Sequence, residues 1–330
     1  MDDWLSFLLL FSGMIGLLII YLMNRHTRIK IRNKKTNQLQ DRMNQVLYFD
    51  ASFDSLVEEA GEFTPKQLTQ YFGSLFPQFR NQESSTGKLI TLFRKLNLTE
   101  SCIEAYKEAT YEEKLSMLDD FKVLPVSEIT HFLISILCSP NPEPIILKAG
   151  EALAAHKTIE TLPVFLIQTV PIPIVFNEAI ASVICSFQAD FPGFVLDKQD
   201  PRIHSFESKI EARYSSFLKS QQQLIMTAGL YVLGLLGLDT SITRILEAIQ
   251  TTVGRECLHV ACTAMKKCSQ DKFLQNLATW IFMIEDWNGE EIQNLLSVFS
   301  YFNPAGEDFI NQLVNHPQLI VKVSAKAALR

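Results

Sequence analysis

The residues that carry chemistry in other proteins are scattered here. Six histidines (His26, His131, His156, His204, His259 and His316) lie far apart and form no H-E-x-x-H pair, the spacing that sets two imidazoles on one helix face around a zinc ion. His259 alone has a second ligand type close by, Cys257, and ordinary packing in a core or groove is the competing reading of that pair. The six cysteines (Cys102, Cys138, Cys185, Cys257, Cys262 and Cys268) contain no C-x-x-C and no dense framework, so they read as buried thiols in a reducing compartment. The adjacent acids Glu58-Glu59, Asp119-Asp120, Glu285-Asp286 and Glu290-Glu291 point to different sides of a helix and read as solvated. Trp280 and Trp287 bracket Glu285 and Asp286 as an aromatic and acidic contact site, although Trp280 fits a core position better.

Two motif-like strings fail on their own terms. Ser85-Thr86-Gly87-Lys88 looks like the tail of a phosphate-binding loop, but that loop needs glycine where Gln82 stands and Ser or Thr where Leu89 stands. Asn97-Leu98-Thr99 spells a glycosylation sequon, which a cytoplasmic location leaves unused. There is no G-x-S-x-G elbow, glycine-rich nucleotide loop or kinase signature. The reading is therefore of a chain without catalytic residues, cofactor, metal or small-molecule substrate, and the alternative is a membrane-bound enzyme or metal protein using an unrecognised site in an insertion or around His259.

What the chain does offer is an anchor and a scaffold. With 330 residues and 47% apolar content it has material for one long or two ordinary folded units. Trp4 to Met23 is 20 residues without a charge, which at about 1.5 Å per residue covers the roughly 30 Å of a bilayer core. Asp2 and Asp3 stand where a signal peptide wants positive charge, and no small-x-small cleavage site ends the run, so an uncleaved anchor is expected. Trp4 and Tyr21 fall near its ends, at headgroup level. Arg25, Arg28, Lys30, Arg32, Lys34 and Lys35 follow directly. By the positive-inside bias they place the carboxy-terminal part in the cytoplasm, on a single-pass protein of the cell inner membrane; attraction to anionic lipid is their second use. The net charge of −6 leaves −10 for residues 36–330, which excludes nucleic acid as a partner.

Beyond the anchor the pattern is helical throughout. The expected organisation is an anchor over 1–24, a basic juxtamembrane segment and connecting helix over 25–62, a helical region over 63–126, and repeats over 127–330. Thr64-Pro65 reads as an N-cap with proline at the first helical position, in a helix ended by Pro77; residues 82–87 (QESSTG) read as loop; Thr110 with Glu113 reads as a capping box. A small or apolar residue, two spacers, then a small residue with an apolar one beside it recur from Ser127 on. The pattern appears at Ala149 with Ala152, Ala179 with Ser182, Ala228 with Tyr231, Ala261 with Ala264, Leu295 with Val298, and Ala325 with Ala328, in steps of 30, 49, 33, 34 and 30 residues. Four steps suit a two-helix repeat, and the long one contains an insertion near 191–205.

Asn141 to Leu166, with Pro142, Pro144, Lys148, Ala149, Ala152, Leu153, Leu162, Pro163 and Leu166, resembles a HEAT repeat. The closing Pro317, Val321, Lys322, Ala325, Ala328 and Leu329 resemble half of another. The resemblance implies an all-α, armadillo-type α-solenoid of stacked helix pairs that works by protein–protein interaction. A single amino-terminal span, a basic run and HEAT repeats are also similar to a group of bacterial membrane-anchored HEAT-repeat proteins, some associated with membrane glycosyltransferases. The function expected on that basis is a scaffold that binds a protein partner at the inner membrane surface, a glycosyltransferase or another envelope assembly.

Overall fold

The computed structural model describes residues 63–79, 82–194, 196, 200–275, 284, 287–302 and 304–329, with isolated positions between 39 and 60. Among these every regular element is helical and no strand occurs. None of these helices is long and apolar enough to cross a membrane. The span over Trp4–Met23, its Trp4 and Tyr21, the basic run Arg25–Lys35, Trp280, Glu285 and Asp286 lie outside the described residues.

The chain divides into two units, residues 1–109 with 123–126, and residues 110–122 with 127–330. The described part of the first holds α1 (Pro65–Phe79), α2 (Glu83–Lys95) and α3 (Leu98–Glu108). Thr64 and Gln67 cap α1 reciprocally, each backbone N–H donating to the other's side chain at 3.0 and 3.3 Å. The helix does not stop at Pro77 but runs through it to Phe79: proline removes one i→i−4 hydrogen bond near the helix end, and the burial of Phe76 and Phe79 holds the last turn in place. The QESSTG stretch is not a loop either. Glu83 opens α2, its acid in the first turn and Arg94 and Lys95 in the last, the charge order that suits the helix dipole. Phe93 meets Phe72 edge-on at 5.3 Å between ring centres, at the heart of this small core. Asn97, in the left-handed region at φ 51°, makes the tight turn into α3.

The second unit begins with α4 (Tyr111–Phe121), whose capping box uses Thr110 and Glu113. There follow α5 (Ser127–Cys138), α6 (Glu143–Ala155), α7 (Leu162–Thr169), α8 (Asn177–Asp190), α9 (Pro201–Ser215), α10 (Gln223–Leu236) and α11 (Asp239–Ile249). The last are α12 (Thr252–Glu256), α13 (Leu258–Met265), α14 (Gln270–Leu274), α15 (Gly289–Tyr301), α16 (Ala305–Leu313) and α17 (Leu319–Ala328). Two rows emerge from their packing. In the first, α4, α6, α8, α10, α13, α15 and α17 each lie against the next; in the second, α5, α7, α9, α11 and α14 do the same. Short connections make neighbours across the rows antiparallel.

Polar ties reinforce each row. The Lys148 ammonium of α6 donates to Asp119 of α4 at 2.7 Å. Tyr214 of α9, fully buried, shares a 2.7 Å hydrogen bond with Thr169 of α7, whose own hydroxyl donates to the Phe165 carbonyl at 2.9 Å. Burial raises the Tyr214 phenol far above its ordinary range. Close approach does the rest. A Cβ placed on Gly234 of α10 would stand 2.7 Å from Cα and Cβ of Ala264 on α13, so these two helices cross nearer than any larger pair of residues permits.

Candidate interaction site

The six recurring positions of the sequence pattern fall one on each of α6, α8, α10, α13, α15 and α17, all first-row helices. Ala149, Ala152, Ala228, Ala261, Ala264 and Ala325 are buried; Ala179 and Ala328 are half-buried. These residues set how closely the helices pack, and none is free to react.

The first row is not uniform along its outer side. Ser182 and Ser186 are exposed on α8, His259 on α13, Gln293 and Ser297 on α15. Between α8 and α13, by contrast, every residue of α10 from Ala228 to Leu236 is buried. What covers its carboxy-terminal half is the insertion after α8, which runs as a strap toward α13. The Tyr231 hydroxyl donates to the Phe191 carbonyl at 3.0 Å, and the Lys267 ammonium donates to the Phe194 carbonyl at 2.8 Å. Leu196 of the strap is itself buried.

Beneath the strap lies a pocket of about 60 Å³. Gly234 and Ala264 form its floor, Pro192 one wall, and Gln188, Tyr231, His259, Thr263 and Lys267 bring polar groups to it. Burial pushes the Tyr231 phenol up to about 12 and lowers the Lys267 ammonium below its ordinary value. A wider cleft of about 520 Å³ opens between α9 and α11. Its Arg244 is already answered by Glu211 at 3.4 Å and by the Ser215 hydroxyl.

The neighbouring pair Cys257 and His259 does not converge. The Cys257 thiol is buried, within 3.1 Å of the Thr227 hydroxyl and 3.7 Å of the Gln223 carbonyl, whereas His259 is exposed at the pocket. Burial pushes the thiols of Cys185 and Cys262 up to about 11 and about 12, and raises that of Cys257; thiols held in that range stay protonated and are poor nucleophiles at neutral pH. Among the described residues no three His, Cys, Asp or Glu side chains are placed to hold a metal ion. Of the acid pairs, Asp119 holds Lys148, and Glu291 caps α15 reciprocally with Asn288 at 2.8 and 3.0 Å. His156 is placed structurally, between the Thr130 hydroxyl at its Nδ1 and the Phe121 carbonyl at its Nε2, both 2.9 Å.

The sequence pattern includes Tyr231 only as a packing position of the repeat and does not single out Lys267. Lys267 lies in the turn just after α13, which ends at Met265, so helical periodicity does not single it out. Compared with known proteins, the chain matches no family model and no curated protein.

Proposed function

We propose that the chain is a membrane-anchored scaffold. Its second unit is an α-solenoid of HEAT type, held at the cytoplasmic side of the inner membrane by the Trp4–Met23 span, and it presents a helical surface to a protein partner. The observation that carries this reading is the row-wise packing of the second unit, in which each first-row helix lies against the next one of its row. Repeats that stack on their neighbours generate an extended surface rather than a closed cleft, and such surfaces are used for binding. The charge-free span and the six basic residues after it supply the anchor and the orientation. Anchoring adds local concentration, since a partner in the same membrane meets the scaffold in two dimensions. A membrane glycosyltransferase or another envelope assembly is the partner class that the HEAT resemblance implies.

The test is recovery from native membranes. Full-length protein, cross-linked and affinity-purified from solubilised membranes, is expected to bring down one partner in near-stoichiometric amount. The chain should remain in the membrane fraction after a salt wash and resist protease added outside intact cells. Digestion of the second unit from outside, or release by salt, would refute the anchor. Recovery without any partner across detergents would refute the scaffold.

A further inference from the structure

Helices of the first row all point the same way, so their amino ends line one edge of the second unit and their carboxy ends the other. Contacts along the row bear this out. Cys257, one residue before α13, lies 3.7 Å from the Gln223 carbonyl at the start of α10, and a Cβ on Gly289 at the start of α15 would stand 3.5 Å from Ile320 at the start of α17. At the opposite edge Lys157, just past α6, pairs with Asp190 at the end of α8 at 2.8 Å. The two edges differ in chemistry. The connections on the amino-end edge, 139–142, 170–176, 216–222, 250–251 and 314–318, contain Lys219 and no other Lys, Arg, Asp or Glu. Those of the opposite edge carry Lys122, Lys157, Glu160, Asp200, Lys266 and Lys267. Nine large apolar side chains are exposed among the described residues, and all but Tyr301 and Leu329 stand at the amino-end edge or in the first two turns behind it.

We propose that this edge lies on the lipid bilayer, with Ile174, Val175, Leu319 and Ile320 entering its headgroup layer. The proposal rests on the anchored-scaffold reading and adds to it the side of the solenoid that faces the membrane. Ile174 and Val175 are 74% and 82% exposed, whereas Ile172 beneath them is buried. They are held out by a fixed turn: Pro171 and Pro173 restrict the backbone, and the Phe176 N–H donates to the Pro173 carbonyl at 3.1 Å. Leu319, 75% exposed, opens α17 four row steps further on, which at about 8–10 Å per helix pair is roughly 30–40 Å away. Protein interfaces gather Trp, Tyr and Arg into a central pocket. Here, Tyr111 apart, the tips are aliphatic and stand far apart along one side, which suits a continuous apolar phase. The acids Glu112, Glu178 and Glu290 in the first turns behind the edge give anionic headgroups nothing to hold, so the contact is apolar insertion, to a depth of about 5–10 Å. Weak insertion suffices, because the Trp4–Met23 span keeps the unit at the surface.

The measurement is lipid-nitroxide quenching on full-length protein reconstituted into phosphatidylcholine vesicles, with and without phosphatidylglycerol. An environment-sensitive label is placed at Val175→Cys, Leu319→Cys or, on the opposite edge, Glu307→Cys, each with the exposed thiol Cys138 replaced by serine. The labels at 175 and 319 should shift to the blue and be quenched several-fold more than the label at 307, to the same extent in both lipid mixtures. Ile174→Asp should reduce the quenching at 175. Equal quenching at all three positions overturns the proposal. So does quenching that needs phosphatidylglycerol, which assigns the contact to the basic run Arg25–Lys35, and so do labels unquenched in these vesicles but shielded in native membranes, which assign the edge to a protein. The anchor is decided separately by an alkaline wash after the quenching is read. Release of the chain refutes the span whatever the labels report, and retention with an unquenched label at 175 refutes the edge and leaves the anchor standing.

Discussion

Replacing Gly234 with alanine should loosen the contact between α10 and α13, and the size of the effect follows from the crossing. The added Cβ would sit 2.7 Å from two atoms of Ala264, against the 3.4 Å at which ordinary contact begins, and both of those atoms belong to or adjoin backbone. The overlap of about 0.7 Å cannot be relieved by a rotamer change, so the helices must part. Overpacking of this kind costs about 1–3 kcal/mol. Removing a glycine from a helix interior returns about 0.5–1 kcal/mol, leaving a net loss between about 0 and 2.5 kcal/mol, toward the upper end because the clash is with backbone. Urea denaturation followed by far-ultraviolet circular dichroism reads it directly. Gly87→Ala is the matched control: Gly87 also lies inside a helix, but a Cβ there meets nothing within 4 Å, so the helix term alone remains and that variant should gain about 0.5–1 kcal/mol. If Gly234→Ala is as stable as the parent while Gly87→Ala gains as expected, close approach is not what holds α10 to α13.

Two further outcomes follow from buried polar groups. Tyr214→Phe should cost about 1 kcal/mol, the net worth of one hydrogen bond, whereas Thr169→Val should cost about 1–3 kcal/mol because it strands the Tyr214 hydroxyl in the core; a double variant that costs the full sum in thermal melts would refute their coupling. His156 titrates below its ordinary value because burial disfavours its charged form, an effect the Phe121 carbonyl only partly offsets. The unfolded chain therefore takes up its proton first, so the stability tied to neutral His156 is complete above about pH 6.5 and declines as the pH falls from there through the folded value, by at most about 1.4 kcal/mol per pH unit. His156→Gln should flatten the pH dependence of the melting temperature below pH 6.5, and an unchanged profile would refute the assignment.

Local signals were the legible ones. Thr110 with Glu113 and Thr64 with Pro65 are caps whose partners lie within one turn, and both form. The recurring small residues were readable because a helix crossing excludes bulk at a fixed register, and their period matches the first row. Lys148, part of the HEAT-like string, ties α6 to α4. QESSTG misled because its polar residues are also what a first helical turn accepts, and only the burial of Leu89, Leu92 and Phe93 decides between loop and helix. For Cys257 and His259 packing was the favoured reading, and the two do not converge: the Cys257 thiol packs on Thr227 and Gln223 while His259 is exposed. The Lys267 contact was not legible: its partner is a backbone carbonyl 73 residues earlier, and a main-chain acceptor leaves no mark on residue type.

The strap is best understood from the helix it covers. On α8 and α15 of the first row the exposed residues include polar ones, Ser182 and Ser186 or Gln293 and Ser297, which face water without cost. The outer side of α10 is Leu, Val, Tyr and Gly, and leaving it open would expose a continuous apolar patch. Extra chain between α8 and α10 closes that patch, which is a physical reason for the single long step in the repeat. The cover must be fastened at its far side, and the fastening is the Lys267 ammonium on the Phe194 carbonyl. That placement brings the Lys267 ammonium under partial cover at the edge of the strap, which lowers its pKa below the ordinary value and makes the contact one that both closes the apolar face and joins residues far apart in sequence.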